Sequence, residues 1–165
     1  MRNLIGLTSA IAIGMWAADA EAAVKVNFVN PDHYIDAGAY RGKDRARSLE
    51  EIERTFQKLA DRYLAADQTL TIDVLDVDLA GRLEPWHFNS YDVRYMRDIT
   101  WPTMKLRYEL DGANAPPLRG EETLSDPGYL DFPSTHISGQ TLPYEKAMLE
   151  RWFRARLVDR RPPRS

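Results

Sequence analysis

Residues 70–80, which read Leu-Thr-Ile-Asp-Val-Leu-Asp-Val-Asp-Leu-Ala, decide the fold of this chain. Aliphatic residues occupy the even positions up to Val74 and the odd positions from Leu75 onward. Such alternation is typical of a strand with one buried face, and the change of phase predicts a β-bulge near Val74 and Leu75. With the bulge, all six aliphatic side chains point inward, and the outer face carries Thr71 and an acidic row, Asp73, Asp76 and Asp78. A strand buried on both faces would place three carboxylates in the core, so we favour the bulge.

The segments around this strand predict an α+β domain. Polar and apolar residues alternate over 24–29 and 104–110, and less regularly over 91–98, so each is a predicted strand. Residues 112–117 are typical of a turn, after which 118–125 is predicted to return as a hairpin partner. Ser48-Leu49-Glu50-Glu51 is a capping box that begins a predicted helix, and Pro143 opens a second helix. Their predicted inward faces are Ile52, Phe56, Leu59, Ala60 and Tyr63, and Met148, Leu149, Trp152, Phe153 and Leu157. This order favours a mostly antiparallel sheet of about four or five strands packed by two amphipathic helices.

The first 22 residues have the pattern of a cleavable secretory signal. Arg2 precedes an uncharged stretch over 4–18, where we expect a signal helix, and small residues then suit signal peptidase after Ala22 or after Ala20. The stretch is shorter than the roughly 20 residues of a membrane-spanning helix, which favours cleavage over a retained anchor. We expect a signal over 1–22, one domain over 23–157 and a flexible basic tail over 158–165. The exported domain is predicted to be periplasmic, with an extracellular location as the alternative.

Charge and cysteine content limit the classes of partner. The chain has 22 basic and 25 acidic residues, and removal of the signal takes away one basic and two acidic residues, leaving 21 against 23. Nucleic-acid-binding domains are usually clearly basic, so we expect no nucleic acid partner. The chain has no cysteine, which excludes disulfides and a lipid-attachment cysteine. We therefore expect a domain that is stabilised by its apolar core and has no stable membrane insertion after cleavage.

Several short motifs occur in order along nearly the whole mature chain. They are Phe28 with Asn30-Pro31, Asp76-Val77-Asp78-Leu79-Ala80-Gly81, Val93-Arg94-Tyr95-Met96-Arg97, Tyr108-Glu109-Leu110, Gly120-Glu121-Glu122 with Leu124-Ser125-Asp126, and Tyr144-Glu145-Lys146 before Trp152-Phe153. Together they resemble an uncharacterised family of exported bacterial proteins, domain of unknown function 3016. The resemblance implies a single domain and an exported location, and it implies no activity, substrate or site.

The acidic row is a candidate cation site. Calcium takes six to eight oxygen ligands, more than one strand offers, so Glu121, Glu122 or Asp126 would have to converge on the row. Cross-strand ion pairs with Lys105 and Arg107 explain the same residues without a metal, and we favour them. The chain has no phosphate-binding glycine loop, and its three histidines, His33, His87 and His136, lack metal-ligand spacing. We therefore expect neither a bound metal nor a cofactor.

Four carboxylates are candidate catalytic groups for hydrolysis of an envelope glycan: Asp76, Asp78, Glu121 and Glu122. Glycoside hydrolysis needs two carboxyl groups at a set separation across a cleft. Glu121 and Glu122 cannot form that pair by themselves, because neighbours on a strand face opposite sides of the sheet. One of them would have to act together with Asp76 or Asp78.

An aromatic loop, Trp86-His87-Phe88 with Tyr91 and Trp101, is the candidate binding site. Exposed rings stack on sugars or accept the apolar side chains of a partner, whereas buried rings here would only cap the end of the sheet. We interpret the chain as a non-enzymatic envelope module that binds an envelope protein or a glycan through this loop or the polar sheet face. The alternatives are a carboxylate-dependent hydrolase and a cation-binding domain.

Overall fold

The computed structural model describes residues 23–38, 42–84, 86, 94–112, 115–131 and 140–163. The strands are β1 (Ala23–Phe28), β2 (Gln68–Asp78), β3 (Arg82–Leu83), β4 (Arg94–Tyr95), β5 (Thr103–Gly112) and β6 (Ala115–Ser125). The helices are α1 (Gly42–Tyr63) and α2 (Pro143–Phe153), with a 3₁₀ turn at Pro31–His33 and a π-helical turn at Arg154–Val158. The predicted signal helix lies outside the described residues. Within those residues, no helix has the length and apolar character needed to span a membrane.

Four strands form one mixed sheet in the order β1-β2-β5-β6. β1 runs parallel to β2, as a crossover through α1 requires, and β5 is antiparallel to both β2 and β6. β3 and β4 form a second, two-stranded sheet. The predicted α+β class, the mostly antiparallel main sheet and its two helices are confirmed. The irregular strand predicted over 91–98 is described from residue 94, and only Arg94 and Tyr95 of the described part are strand.

β2 contains the bulge that its sequence predicts. Its register with β5 shifts between Val74 and Asp76, so Leu75 is the inserted residue. Five of the six aliphatic side chains are buried, namely Leu70, Ile72, Val74, Val77 and Leu79. Leu75 is half-buried and lies outside the core cluster, so the prediction that all six point inward is wrong at this position. The inserted residue has no cross-strand partner to hold its side chain on the inner face.

The segment between β1 and α1 satisfies the polar groups of the bulge. The Tyr34 hydroxyl donates to the Val74 carbonyl at 2.7 Å. Asp76 Oδ1 accepts from the N–H of Ile35 at 3.0 Å and from the N–H of Val77 at 2.9 Å. Burial raises the pKa of Tyr34 to about 12, so its hydroxyl stays protonated and remains a donor at neutral pH. These bonds hold the bulge in one geometry.

α1 begins six residues before the predicted capping box. Ser48 lies inside the helix and is buried, so the prediction that it caps the N-terminus is wrong. Four of the six residues that extend the helix have high helix propensity, namely Lys43, Arg45, Ala46 and Arg47. Near the new start, Arg45 also pairs with Asp32 of the preceding 3₁₀ turn at 2.5 Å. Charge pairing and propensity together place the start earlier than the capping pattern does.

Both helices pack on one face of the main sheet. The predicted inward residues of α2 and the π-helical turn are all buried, and those of α1 are buried or pack against the core cluster. Trp152 lies edge-on to Phe56 at 6.4 Å and to Tyr108 at 5.3 Å between ring centroids, so it joins α1, α2 and β5. The Tyr108 ring lies over Gly120 of β6, where an added Cβ would approach the tyrosine oxygen to 2.6 Å. The opposite face carries exposed side chains, among them Lys105, Arg107 and Glu121.

Candidate functional site

The three members of the acidic row have separate partners. Asp73 lies 3.8 Å from Arg107, Asp76 accepts the backbone bonds of the bulge, and Asp78 pairs with Arg82 at 2.5 Å. Across the described ranges, no three His, Cys, Asp or Glu side chains are grouped so that they could hold a metal ion.

The basic row on β5 pairs mainly with β6. Lys105 and Arg107 each reach Glu121 at 2.9 Å, and Arg107 also approaches Asp73. Hydrogen bonds from Lys105 and Arg107 lower the pKa of Glu121. The predicted cross-strand pairing therefore exists, but its chief carboxylate is Glu121, because this residue lies directly opposite Arg107 and diagonally opposite Lys105 in the β5–β6 ladder.

The four candidate catalytic carboxylates lie apart. Glu121 faces the outer side of the sheet and Glu122 the inner side, while Asp76 and Asp78 are on β2, with β5 between them and β6. Arg156 binds Glu122 through two hydrogen bonds of 2.6 Å, and the Tyr108 hydroxyl adds a third of 2.7 Å. Burial raises the pKa of Glu122, but the hydrogen bonds from Arg156 and Tyr108 outweigh burial and leave it lowered. No pair among the four shares a cleft in the described part of the chain.

The described rings of the aromatic loop are Trp86 and Trp101; His87, Phe88 and Tyr91 lie outside the described residues. Trp86 is 73 % exposed and Trp101 is 37 % exposed. Neither ring belongs to the buried core clusters.

Exposed apolar side chains continue beyond the aromatic loop. Met96 and Ile99 are exposed, and Ile99 has 72 % of its surface in solvent. With Trp101 they form what we call the apolar turn, residues 96–101, between β4 and β5. Sequence reasoning missed Met96 and Ile99, because single apolar residues in an irregular segment do not form a periodic pattern.

The apolar turn is fixed to the rest of the protein on three sides. The Tyr129 hydroxyl donates to the Arg97 carbonyl at 2.6 Å, and the Gly81 N–H donates to the Thr100 carbonyl at 2.9 Å. The Arg97 guanidinium also pairs with Glu84 at 2.8 Å. The turn therefore presents its apolar side chains from a rigid backbone.

A half-buried arginine, Arg94, organises the chain just after the end of β2. Arg94 donates to the carbonyls of Leu79, Ala80 and Gly81 at 3.2, 3.0 and 2.8 Å, and to Asp36 Oδ2 at 2.9 Å. Asp36 is itself buried. The sequence carries no local signal for these contacts, because their members come from distant parts of the chain.

Glu145, at the start of α2, lies next to this arginine cluster. It is 3 % exposed, and its Oε1 accepts the Ala80 N–H at 2.7 Å. Burial raises the pKa of Glu145, although the Ala80 hydrogen bond and the charge of Arg94 act in the opposite direction.

We expect the Glu145→Gln substitution to raise stability at alkaline pH and to change it little near pH 4. A carboxyl whose pKa is raised by folding loses stability as pH rises from its unfolded value through its folded value, at about 1.4 kcal/mol for each unit of pKa change. Glutamine keeps the acceptor for the Ala80 N–H and does not titrate. The free energy of unfolding, measured by urea titration from pH 4 to 8, tests this. Parallel pH profiles of wild type and Glu145→Gln would contradict this prediction. Glu145→Ala leaves the Ala80 N–H without its acceptor, so its free energy of unfolding is expected to be about 1–3 kcal/mol lower than that of the wild type across the whole pH range.

A groove lies between the edge strand β6 and the end of α2, with a volume of about 550 Å³. We call it the β6–α2 groove. Its walls include Leu124 of β6, and Trp152 and Ala155 on the helical side. Trp152 is 6 % exposed, and its Nε1–H is the buried side-chain donor that forms no well-aligned hydrogen bond among the described residues.

Comparison with known proteins identifies a family. No curated protein and no solved structure matches the chain. The family described as "Protein of unknown function (DUF3016)" matches residues 22–155, which include all the strands and both helices described above. The chain belongs to this family.

Proposed function

We propose that the chain is an exported, non-enzymatic binding module of the cell envelope, and that the apolar turn is its contact surface for a partner protein. The observation that carries the proposal is the 72 % exposure of Ile99 on a turn whose backbone is held by hydrogen bonds. Clusters of exposed apolar side chains on soluble domains mark interaction sites, whereas single ones need no explanation. Three large apolar side chains lie within six residues here, and Trp86 adds a fourth nearby in the sequence.

The composition of the surface favours a protein over a glycan. Sugar sites place aromatic rings beside polar groups that hydrogen-bond the hydroxyls, whereas Met96 and Ile99 offer only aliphatic contact. A rigid turn also loses little conformational freedom on binding, and this favours insertion into an apolar pocket of a partner. We therefore expect Ile99 and Trp101 to act as anchor side chains.

The catalytic alternative has less support. Each candidate carboxylate has a partner within the fold, and Glu121 and Glu122 belong to opposite faces of the sheet. The predicted signal over 1–22 supports an envelope location, since Arg2, the uncharged stretch and the small residues before Ala23 form the pattern of a secretory signal.

Site-specific photocrosslinking in the native cells tests the contact surface. A photoreactive residue in place of Ile99 is expected to give a discrete adduct with one envelope protein. The same residue in place of Ile35 is the matched control, because Ile35 is also an exposed isoleucine, at 62 %, and lies outside the apolar turn. Equal labelling from both positions, or none from position 99, would overturn the proposal.

The N-terminus of the chain recovered outside the cytoplasm is expected to follow Ala22 or Ala20.

A further inference from the structure

The β6–α2 groove lies along the edge of β6 that faces away from β5. Among the described residues, β6 pairs only with β5. The Asp126 N–H donates to the Pro102 carbonyl at 3.3 Å. At this end of β6, the even-numbered residues therefore point their backbone N–H and C=O groups toward β5. Because backbone groups alternate sides along a strand, Thr123 and Ser125 direct their N–H and C=O groups away from β5, toward the groove. Such an edge is a template for an added strand.

The floor of the groove has an indole N–H in incomplete hydrogen-bond geometry. Trp152 is held by its ring contacts with Phe56 and Tyr108, and its buried Nε1–H forms no well-aligned hydrogen bond among the described residues, although it lies near enough to Glu122 to help lower the pKa of that carboxyl. A carbonyl oxygen arriving from a ligand would give this donor an aligned acceptor. Leu124 and Ala155 beside it leave apolar space for a side chain.

The charges around the groove favour an acidic occupant. Three arginines line the groove, Arg151, Arg156 and Arg161, together with two carboxylates. These carboxylates are already engaged, Glu122 by Arg156 and Asp126 by Arg151. The lining therefore keeps a net charge of +1, at Arg161, whose exposed guanidinium also reaches Asp159 outside the lining at 3.0 Å. A carboxylate on the ligand would lie next to this positive end.

We propose that the β6–α2 groove binds an extended, acidic segment of a partner protein, which adds as a strand to β6. Alternate side chains of the segment enter the groove beside Trp152, and a backbone carbonyl accepts the indole N–H. Glu122 is a charged residue that points inward at an edge strand, an arrangement that deters indiscriminate strand pairing. The segment must therefore match the groove. This site is separate from the apolar turn, and the inference does not depend on the function proposed for that turn.

Selection from a displayed library of random peptides, with the purified chain as bait, tests the proposal. We expect enrichment of extended sequences with acidic residues and alternating apolar positions. Methylation of single backbone nitrogens in an enriched peptide is expected to weaken binding about tenfold or more at every second position, because only alternate N–H groups face β6. Binding is expected to change the fluorescence of Trp152. Loss of this change in the Trp152→Phe variant would assign it to Trp152.

Variants of the chain locate the binding site. Ala155→Trp, which fills the groove, and Arg161→Glu, which removes positive charge, are both expected to weaken the peptide about tenfold or more. Arg119→Glu is the matched control, because Arg119 lies on the same strand but on its outer face, and it should bind as wild type does. Ile99→Ser should also bind normally, so that failure of the groove and failure of the apolar turn are distinguishable.

Four results would overturn the inference. The first is a selection in which the wild-type bait enriches no peptides over the Ala155→Trp bait, and the second is a peptide that tolerates N-methylation equally at all positions. The third is peptide binding that Arg119→Glu and Arg161→Glu weaken equally. The fourth is occupation of β6 by a second copy of the chain. The last would appear as a dimer in sedimentation that Ala155→Trp dissociates.

Discussion

Replacement of Arg94 by methionine is expected to destabilise the protein by about 3–5 kcal/mol, one of the two largest effects that we predict. The guanidinium joins three consecutive carbonyls at the end of β2 to the buried carboxylate of Asp36. Methionine fills similar space but leaves those acceptors without their donor and Asp36 without its nearest cation. Asp36 then keeps Arg82 at 3.5 Å but loses its hydrogen bond from Arg94, so more of the desolvation cost of this buried carboxylate is left uncompensated. Urea unfolding followed by tryptophan fluorescence measures the loss.

A second substitution separates the charge from the packing. Asp36→Asn keeps the oxygen that accepts the Gly38 N–H and removes the charge. In the background of Arg94→Met, it is therefore expected to recover part of the lost free energy, which reveals coupling between the two sites. Arg54→Met is the control, because Arg54 pairs with Glu50 and Glu51 on the exposed side of α1 and should cost about 1 kcal/mol or less. A similar loss from Arg54→Met and Arg94→Met would show that burial of the pair is not the cause.

The elements of the fold with a local pattern could be predicted from the sequence. The alternation across residues 70–80 identified β2 and its bulge, because side-chain direction in a strand depends only on sequence spacing. The start of α1 was misplaced, since Ser48 and Glu51 satisfy a capping pattern that also occurs inside helices. Leu75 was misplaced for a related reason: periodicity locates a bulge but does not fix the direction of the inserted side chain.

The polar clusters could not be predicted, because their members meet only after the chain folds. Asp36 and Arg94 are 58 residues apart, and Glu145 reaches Ala80 across 65 residues. No spacing rule links such pairs. The acidic row illustrates the same point, since Lys105 is in register with Asp76 but its ammonium group lies next to Glu121 on the other neighbouring strand.

The loss of Arg156 is the second large effect that we predict. Arg156→Leu should cost about 3–5 kcal/mol near neutral pH, because it leaves Glu122 buried without its cation. Both side chains are about nine-tenths buried, and the pair is joined by two hydrogen bonds of 2.6 Å. Arg156 lies within the π-helical turn that follows α2. In this turn the Asp159 N–H donates to the carbonyl of Arg154, five residues earlier, at 2.8 Å, instead of to the carbonyl four residues earlier as in an α-helix.

The dependence on pH identifies the mechanism. In the wild type, the pKa of Glu122 lies below its usual value of 4.5, so the pair contributes stability above that pH and loses it as pH falls through the lowered value. Without Arg156, burial dominates and the pKa of Glu122 should lie above 4.5, so the variant should gain stability as the carboxyl becomes protonated. The difference between wild type and variant is therefore expected to be largest near pH 7 and to shrink toward pH 3. A difference that stays constant would contradict this.

Two further variants separate the ion pair from packing. Glu122→Gln combined with Arg156→Leu should recover much of the free energy lost near neutral pH, because the amide oxygen still accepts from the Tyr108 hydroxyl and no buried charge remains. Arg107→Leu is the control, since Arg107 faces Glu121 on the exposed side of the same strand pair, where water screens the charges. Its unfolding free energy should differ little from that of the wild type at any pH. If the double variant recovered no free energy near neutral pH, the loss would be assigned to packing of the arginine side chain.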